Sequence, residues 1–311
     1  MRQKLQPSWI SRTILGIVRA TLLSDFSHEM CTAVLPLYLM TLGLGPGALG
    51  LIEGLADFLF SLSKLGGGIF GHHVDQKRPW ASLGYLVTAL ATGAIGMAHT
   101  LSALLTLRGL AWIGRGFRGP LRDFLLAEAV PPTHFGRAYG LERAGDMIGA
   151  VLGPLAGVAL LWFGVTFQSV ILWTLLPGLL AAGSLFFVVQ EKPISRPLSD
   201  DETPRAVRRV VFPRSFWVFL IGVFLFGLGD FSRTFLIWLA LPHLETSFGS
   251  PSESIALGAL LYGLHNLVSG AVAYPIGRFG DRRAPFIILL GGYGLGVGAN
   301  LLLALGSGSL N

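Results

Sequence analysis

The sequence predicts an all-α membrane protein that crosses the bilayer about nine times. Hydrophobic residues occupy 52% of the 311 positions and charged residues only 13%, which is too little charge to cover a soluble protein of this size. Nine apolar segments are long enough to span a hydrocarbon core of about 30 Å, which takes roughly 20 helical residues. They lie near residues 13–40, 48–70, 80–99, 103–128, 138–162, 167–189, 215–241, 254–275 and 284–305.

The first segment follows a polar, basic stretch from Met1 to Arg12. No small-residue cleavage site precedes the polar pair Ser24 and Asp25, so we expect a retained first helix rather than a signal peptide. Every third segment has no Asp, Glu, Lys or Arg in its interior, as expected of helices that face lipid. These segments are 80–99, 167–189 and 284–305.

A polar stretch at 191–214 mixes both charge signs with several prolines, which predicts a cytoplasmic linker. We therefore expect a six-helix N-terminal bundle at 1–190, the linker at 191–214 and a partial C-terminal bundle at 215–311. All Lys and Arg residues outside the nine segments fall in one set of alternate loops. Because cytoplasmic loops carry the excess of these residues, the N-terminus is predicted to be cytoplasmic.

The segments before and after the linker resemble each other. Asp25-Phe26-Ser27 recurs as Asp230-Phe231-Ser232, and Gly71-x-x-x-Asp75 recurs as Gly277-x-x-x-Asp281, in the same order and at nearly the same offset. Each match alone is weak, but together they favour an internal duplication, which is typical of transporter folds.

These motifs resemble those of the major facilitator superfamily, whose signature is a G-x-x-x-D-R-x-G-R-type loop after the second helix. Gln76 stands where that family usually has Arg, and the second copy, ending in Asp281-Arg282, fits better. Arg108 followed by Gly114 and Gly116 is similar to the family's fourth-helix arginine motif. The resemblance implies a fold of twelve crossings, so we expect a C-terminally short form or a fragment.

Ionisable groups inside a bilayer cost at least about 2.5–3.5 kcal/mol each, so they should face a cavity or a partner. Acids predicted near mid-membrane are candidates for proton coupling: Asp25, Glu29, Asp57 and Asp230. Basic residues predicted to face the cavity are Arg108, Arg115, Arg118, Arg122 and Arg233. Our hypothesis is that Asp25, assisted by Glu29 or Asp57, binds and releases a proton. The arginines either contact cargo or serve as ion-pair struts between helices.

The paired loops and nearby charges are predicted to form a cytoplasmic gate. Its members are Gly71, Asp75, Arg78, Gly277, Asp281, Arg282, Lys64, Glu142 and Asp146. The alternative for Asp75 and Asp281 is a helix-capping turn. A further pattern in the fifth segment consists of Gly149, Gly153, Pro154 and Gly157. The resemblance associates it with antiporters, although small residues every four positions also allow close helix packing.

The sequence thus predicts a secondary transporter, not an enzyme, that exports small molecules by proton-coupled alternating access. Alternatives are a proton-coupled uptake permease, a non-transporting fragment of a twelve-helix transporter and, less favoured, an intramembrane transferase. No Walker-type phosphate loop is present. We expect no cofactor and no metal site, since His72 and His73 alone offer too few ligands. We also expect a monomer in the bacterial inner membrane, with no nucleic-acid partner.

Overall fold

The computed structural model describes residues 9–191, 212–229, 251–282 and 285–308. All regular secondary structure in these ranges is helical, which confirms the predicted all-α fold. The helices are α1 Arg12–Thr41, α2 Pro46–His73, α3 Arg78–Ala94, α4 Leu101–Ala129, α5 Phe135–Trp162, α6 Phe167–Trp173, α7 Leu175–Gly183, α8 Arg214–Gly229, α9 Pro251–Gly280 and α10 Pro285–Gly308.

The first five predicted segments match α1 to α5 to within a few residues at each end. The sixth, predicted as one helix over 167–189, is broken at Thr174 into α6 and α7 and ends in a π-helical turn, Ser184–Val188. Pro177 offers no N–H to the carbonyl of Trp173, so the regular hydrogen-bond ladder cannot continue there. The neighbouring carbonyl of Thr174 accepts hydrogen bonds from the Gly178 N–H at 3.1 Å and from the Ser27 hydroxyl of α1 at 2.9 Å.

Part of the second half lies outside the described residues. The segment predicted at 215–241 is described as helix only through Gly229, so Asp230 and Arg233 fall outside. Most of the predicted linker, residues 192–211, also falls outside, and the division at 191–214 stays a prediction. The segments predicted at 254–275 and 284–305 match α9 and α10.

Local sequence explains where the helices begin. Ser11 caps α1 by accepting a hydrogen bond from the Ile14 N–H, and Thr100 caps α4 in the same way. Proline occupies the first turn of α2 and α3, where its missing N–H costs nothing. Short polar or glycine-containing loops join these helices.

The surface of the helices is strongly apolar. The side chains of Trp162 and Phe187 are 87% and 81% exposed. Exposure of such large apolar side chains is unfavourable in water, whereas lipid can surround them. Over the described ranges, three helical stretches are long and apolar enough to span a membrane on hydropathy alone. They are Arg78–Met97, Pro132–Trp162 and Phe167–Val188. The helices α1, α2 and α4 have charged side chains that form ion pairs inside the first unit.

The chain divides by packing into two units. The first comprises residues 1–193 and 265–284, and therefore α1 to α7 with the C-terminal half of α9. The second comprises residues 194–264 and 285–311, with α8, α10 and the first half of α9. Within the first unit α1 packs along α5, while α4 packs between α2 and α3. The charged residues that matter below all lie in this first unit.

Candidate functional site

A row of arginines on α4 pairs with carboxylates on three other helices. The three arginines recur every seven residues, so they share one side of the helix. Arg108 pairs with Glu53 of α2 at 2.9 Å, Arg115 with Asp25 of α1 at 2.6 Å, and Arg122 with Glu142 of α5 at 2.8 Å. Each of these three α4 arginines therefore pairs with a carboxylate on a different neighbouring helix.

Between these helices lies a polar cavity of about 190 Å³. Five cationic and three acidic side chains line it, together with Thr21 and Phe60. The charged residues are Lys64, Arg115, Arg118, Arg122, Arg143, Asp25, Glu142 and Asp146. A cavity of this polarity inside a bundle with an apolar exterior is the expected form of a solute or ion pathway.

Asp25 is the most enclosed acid of the cavity, with only 3% of the residue exposed. Its carboxylate accepts a hydrogen bond from Arg115 at 2.6 Å, and the carboxyl of Asp146 lines the same cavity. Asp146 also pairs with Arg143, three residues before it on α5. Two carboxyl groups and two guanidinium groups from α1, α4 and α5 thus form one continuous cluster.

The small residues of α5 allow this cluster to form. A Cβ placed on Gly149 would lie 2.9 Å from the Phe26 backbone nitrogen and 3.2 Å from the Asp25 Cβ, so only glycine permits this approach. Gly153 and Gly157 continue the same contact along α1, and α5 remains helical through Pro154. The glycine pattern brings the acid of α5 next to the acid of α1.

Arg118 has a different environment from the other α4 arginines. Its Nη2 donates to the Ser24 hydroxyl at 2.6 Å, and its guanidinium lies over the Tyr85 ring, 3.6 Å from the centroid. Its Nη1 is buried without a hydrogen-bond partner, and it pairs with no carboxylate among the described residues. Lys64, exposed on α2, lies 5.7 Å from the Phe60 ring centroid.

Two of the other acids predicted for proton coupling are placed apart from the cavity lining. Asp57 is exposed on α2 and forms no ion pair with any residue of the described ranges. Glu29 lies one helical turn beyond Asp25 on α1 and is half-buried. The neighbour of Asp25 is instead Asp146, which the sequence analysis assigns to the cytoplasmic gate.

The second copy of the repeated loop is docked on the start of α5. The Asp281 carboxylate accepts hydrogen bonds from the backbone N–H of Gly136 at 2.6 Å and of Arg137 at 3.2 Å. It also pairs with the Arg137 side chain at 3.2 Å. Gly277 approaches Gly136 so closely that a Cβ on either residue would collide with the backbone of the other. Arg282, next along the chain, is exposed.

The first copy of the loop is held by a residue that the sequence analysis places in the linker. The Glu191 carboxylate accepts hydrogen bonds from the backbone N–H of Lys77 at 2.6 Å and of Arg78 at 3.0 Å, and so caps α3. Arg78 also donates to the Val189 carbonyl at 3.2 Å. Gly71 lies against Leu121 of α4, and Asp75 lies two residues beyond His73, the last residue of α2.

Sequence reasoning did not single out Tyr85, Ser24 or Glu191. No spacing rule reveals them, because each contacts its partner across helices or far along the chain. Arg143 could have been paired with Asp146 from the sequence, since residues three apart share a helix face.

Comparisons with known proteins agree with the fold. A sequence profile of the Major Facilitator Superfamily matches residues 18–311. An uncharacterized MFS-type transporter of Methanocaldococcus jannaschii is 27% identical over 285 residues, covering 91% of this chain and 70% of the relative. The multidrug resistance protein MdtG of Escherichia fergusonii is 30% identical over 278 residues, covering 86% of this chain and 66% of the relative.

A solved structure has the same fold. The crystal structure of a bacterial homolog to the human lysosomal transporter Spinster, inward-facing and unoccupied, matches with a TM-score of 0.58 at 20% identity. The match covers 93% of this chain and 63% of that one. The chain spans about two thirds of the length of the proteins it matches.

Proposed function

Because the chain belongs to the major facilitator superfamily, we propose that it is a secondary active transporter that couples the export of a small molecule to proton movement. Family membership implies an integral membrane protein and a transporter rather than an enzyme. The observation that carries the proton-coupling part is the cluster of Asp25, Arg115 and Asp146 inside the polar cavity.

Two neighbouring carboxyl groups are a natural site for one exchangeable proton. Ionised carboxylates only accept hydrogen bonds, so Asp25 and Asp146 can bond each other only when one of them holds a proton. Repulsion between two carboxylates in one cavity favours binding of that proton. The cavity supplies the route by which the proton reaches the pair from one side of the membrane.

The same pair holds a guanidinium, which couples the proton to helix position. Arg115 of α4 is bound to Asp25 of α1 while that carboxylate is ionised. Protonation of Asp25 removes the charge that holds Arg115, and loss of the proton restores it. A change in the α1 to α4 contact that follows proton binding is the elementary step that alternating access requires.

The contact between Asp281 and the start of α5 supports a gate at the predicted cytoplasmic side. An anion at a helix N-terminus is stabilised by the unpaired N–H groups and the helix dipole. This contact joins α5 to the C-terminal half of α9, and a gate would form and break it in each transport cycle. The capping and gating interpretations of Asp281 are therefore compatible, because the contact that caps α5 would also be the contact that holds the gate closed.

Export is favoured over uptake by two similarities. MdtG is named a multidrug resistance protein, and the Gly149, Gly153 and Gly157 pattern resembles that of antiporters. The close packing of α1 and α5 explains these glycines without reference to direction, so direction must be measured. The uptake permease is the second candidate.

The test is transport by the purified chain in proteoliposomes with an imposed pH gradient. A panel of radiolabelled and fluorescent small molecules is assayed for flux that follows the gradient and stops when a protonophore collapses it. Reversing the gradient distinguishes export from uptake. Flux of every panel member at the rate of protein-free liposomes would contradict the proposal, as would flux that ignores the gradient.

A further inference from the structure

The charges that line the cavity do not balance. Five cations face three carboxylates, and each carboxylate is engaged by an arginine: Asp25 by Arg115, Glu142 by Arg122 and Asp146 by Arg143. Arg118 and Lys64 are the remaining cations, and neither pairs with a carboxylate in the described part of the chain.

Arg118 is the more informative of the two because it is 95% buried, with only 5% of its surface exposed. Its polar contact is with a neutral hydroxyl, that of Ser24, and its Nη1 is buried without a partner. An enclosed guanidinium without an anion is costly in a bilayer. The Nη1 of Arg115, in the same cavity, is also buried without a partner.

Lys64 of α2 is the second cation of the cavity that pairs with no carboxylate of the described residues. Its ammonium group is exposed at the cavity and lies against the Phe60 ring rather than against a carboxylate. Its long side chain is free to turn toward a ligand, whereas the planar fork of Arg118 is fixed by stacking on Tyr85. A fixed fork and a mobile ammonium are well suited to binding one oxyanion between them.

We propose that this cavity binds the anionic group of the cargo, a carboxylate or a phosphate, between Arg118 and Lys64. The inference deepens the proposed function, on which its transport aspect rests, by naming the charge class of the cargo. Bound there, the anion provides an acceptor for Arg118 and reduces the surplus positive charge of the cavity. The phosphate of a lipid headgroup has the same chemistry, and the experiment distinguishes the two sources.

The experiment measures equilibrium binding of radiolabelled benzoate to the full chain in nanodiscs of zwitterionic lipid at fixed pH. Benzamide, which has the same size and no charge, is the matched ligand, and inorganic phosphate is tested as a competitor. We compare the wild-type protein with Lys64→Gln, Arg118→Gln, Arg118→Lys and Arg12→Gln. Arg12→Gln removes one cation from the exposed start of α1, outside the cavity.

We expect saturable benzoate binding that benzamide does not displace. Lys64→Gln and Arg118→Gln should each weaken it about tenfold or more, since each removes a charge-assisted hydrogen bond. Arg118→Lys should recover part of the loss, and Arg12→Gln should bind as the wild type does. Lys64 is exposed, so its substitution tests the proposal even where Arg118→Gln fails to fold.

Benzoate affinities within twofold of wild type in both Lys64→Gln and Arg118→Gln would overturn the proposal. Binding of benzamide as tight as that of benzoate would also overturn it. Loss of benzoate binding when anionic phosphatidylglycerol is added to the nanodiscs, with no binding of free phosphate, would assign the site to a lipid headgroup and overturn a cargo site. Gradient-driven flux of uncharged panel members without benzoate binding would overturn the anion site and leave the proposed transport intact.

Discussion

The replacement Gly153→Ala should destabilise the protein by forcing α5 away from α1. An added Cβ would lie 2.5 Å from the Phe26 carbonyl oxygen and 2.9 Å from the Met30 backbone nitrogen. Both atoms belong to the α1 backbone and cannot turn aside as a side chain would. Relief to ordinary contact requires the helices to separate by about 1 Å, and overpacking of this kind costs about 1–3 kcal/mol.

Alanine also raises helix propensity, which opposes this cost by about 1 kcal/mol. The net loss in the free energy of unfolding should therefore be about 0–2 kcal/mol. The matched control is Gly54→Ala on α2, where an added Cβ meets nothing within 4 Å. That variant gains the propensity without the clash and should be as stable as the wild type or more stable.

Thermal unfolding of the detergent-solubilised variants, followed by loss of the monodisperse peak in size-exclusion chromatography, measures the difference. Gly153→Ala should unfold several degrees below Gly54→Ala. Equal midpoints for the two variants would refute the close approach of α1 and α5, and with it the geometry that brings Asp146 to Asp25.

Three further predictions concern the ion pairs and caps of the first unit. Arg108→Gln leaves the one-third-exposed Glu53 carboxylate without its partner, so the free energy of unfolding should fall by about 1–3 kcal/mol. The double variant Arg108→Gln/Glu53→Gln should recover at least half of that lost stability. No recovery of stability in the double variant would contradict the pairing. Glu191→Ala removes the acceptor at the start of α3 and should cost about 1 kcal/mol, with faster amide hydrogen exchange in the first turn of α3. Asp281→Ala should speed exchange at Gly136 several-fold, and unchanged exchange there would mean that the loop does not dock on α5.

The helical spans were predictable because bilayer thickness fixes the length of an apolar helix. The break at Thr174 was harder to predict than the spans. Pro177 is visible in the sequence, but proline is tolerated in membrane helices when a neighbour satisfies the freed carbonyl. Beside the break, the Ser27 hydroxyl of α1 donates a hydrogen bond to the Thr174 carbonyl, and no local pattern encodes this contact between helices.

The alignment of Arg108, Arg115 and Arg122 on one side of α4 was predictable from their seven-residue spacing. Each of them pairs with a carboxylate of a neighbouring helix. The acid that neighbours Asp25 was not predictable, because the depth of a residue in the membrane does not determine which helix its side chain faces. The sequence pointed to Glu29 or Asp57 as the assisting acid and placed Asp146 in the cytoplasmic gate. Close packing at Gly149 brings Asp146 to Asp25, and helix packing of this kind is a tertiary property.

The central claim is that Asp25 exchanges the proton that drives transport. The direct measurement is proton movement into proteoliposomes, read by an internal pH indicator, as a cargo gradient runs down. Wild type and Glu128→Gln, a variant at an exposed carboxylate of α4, should show cargo-dependent acidification or alkalinisation. Asp25→Asn should show none while still exchanging labelled for unlabelled cargo; proton movement at the wild-type rate in Asp25→Asn would contradict the claim.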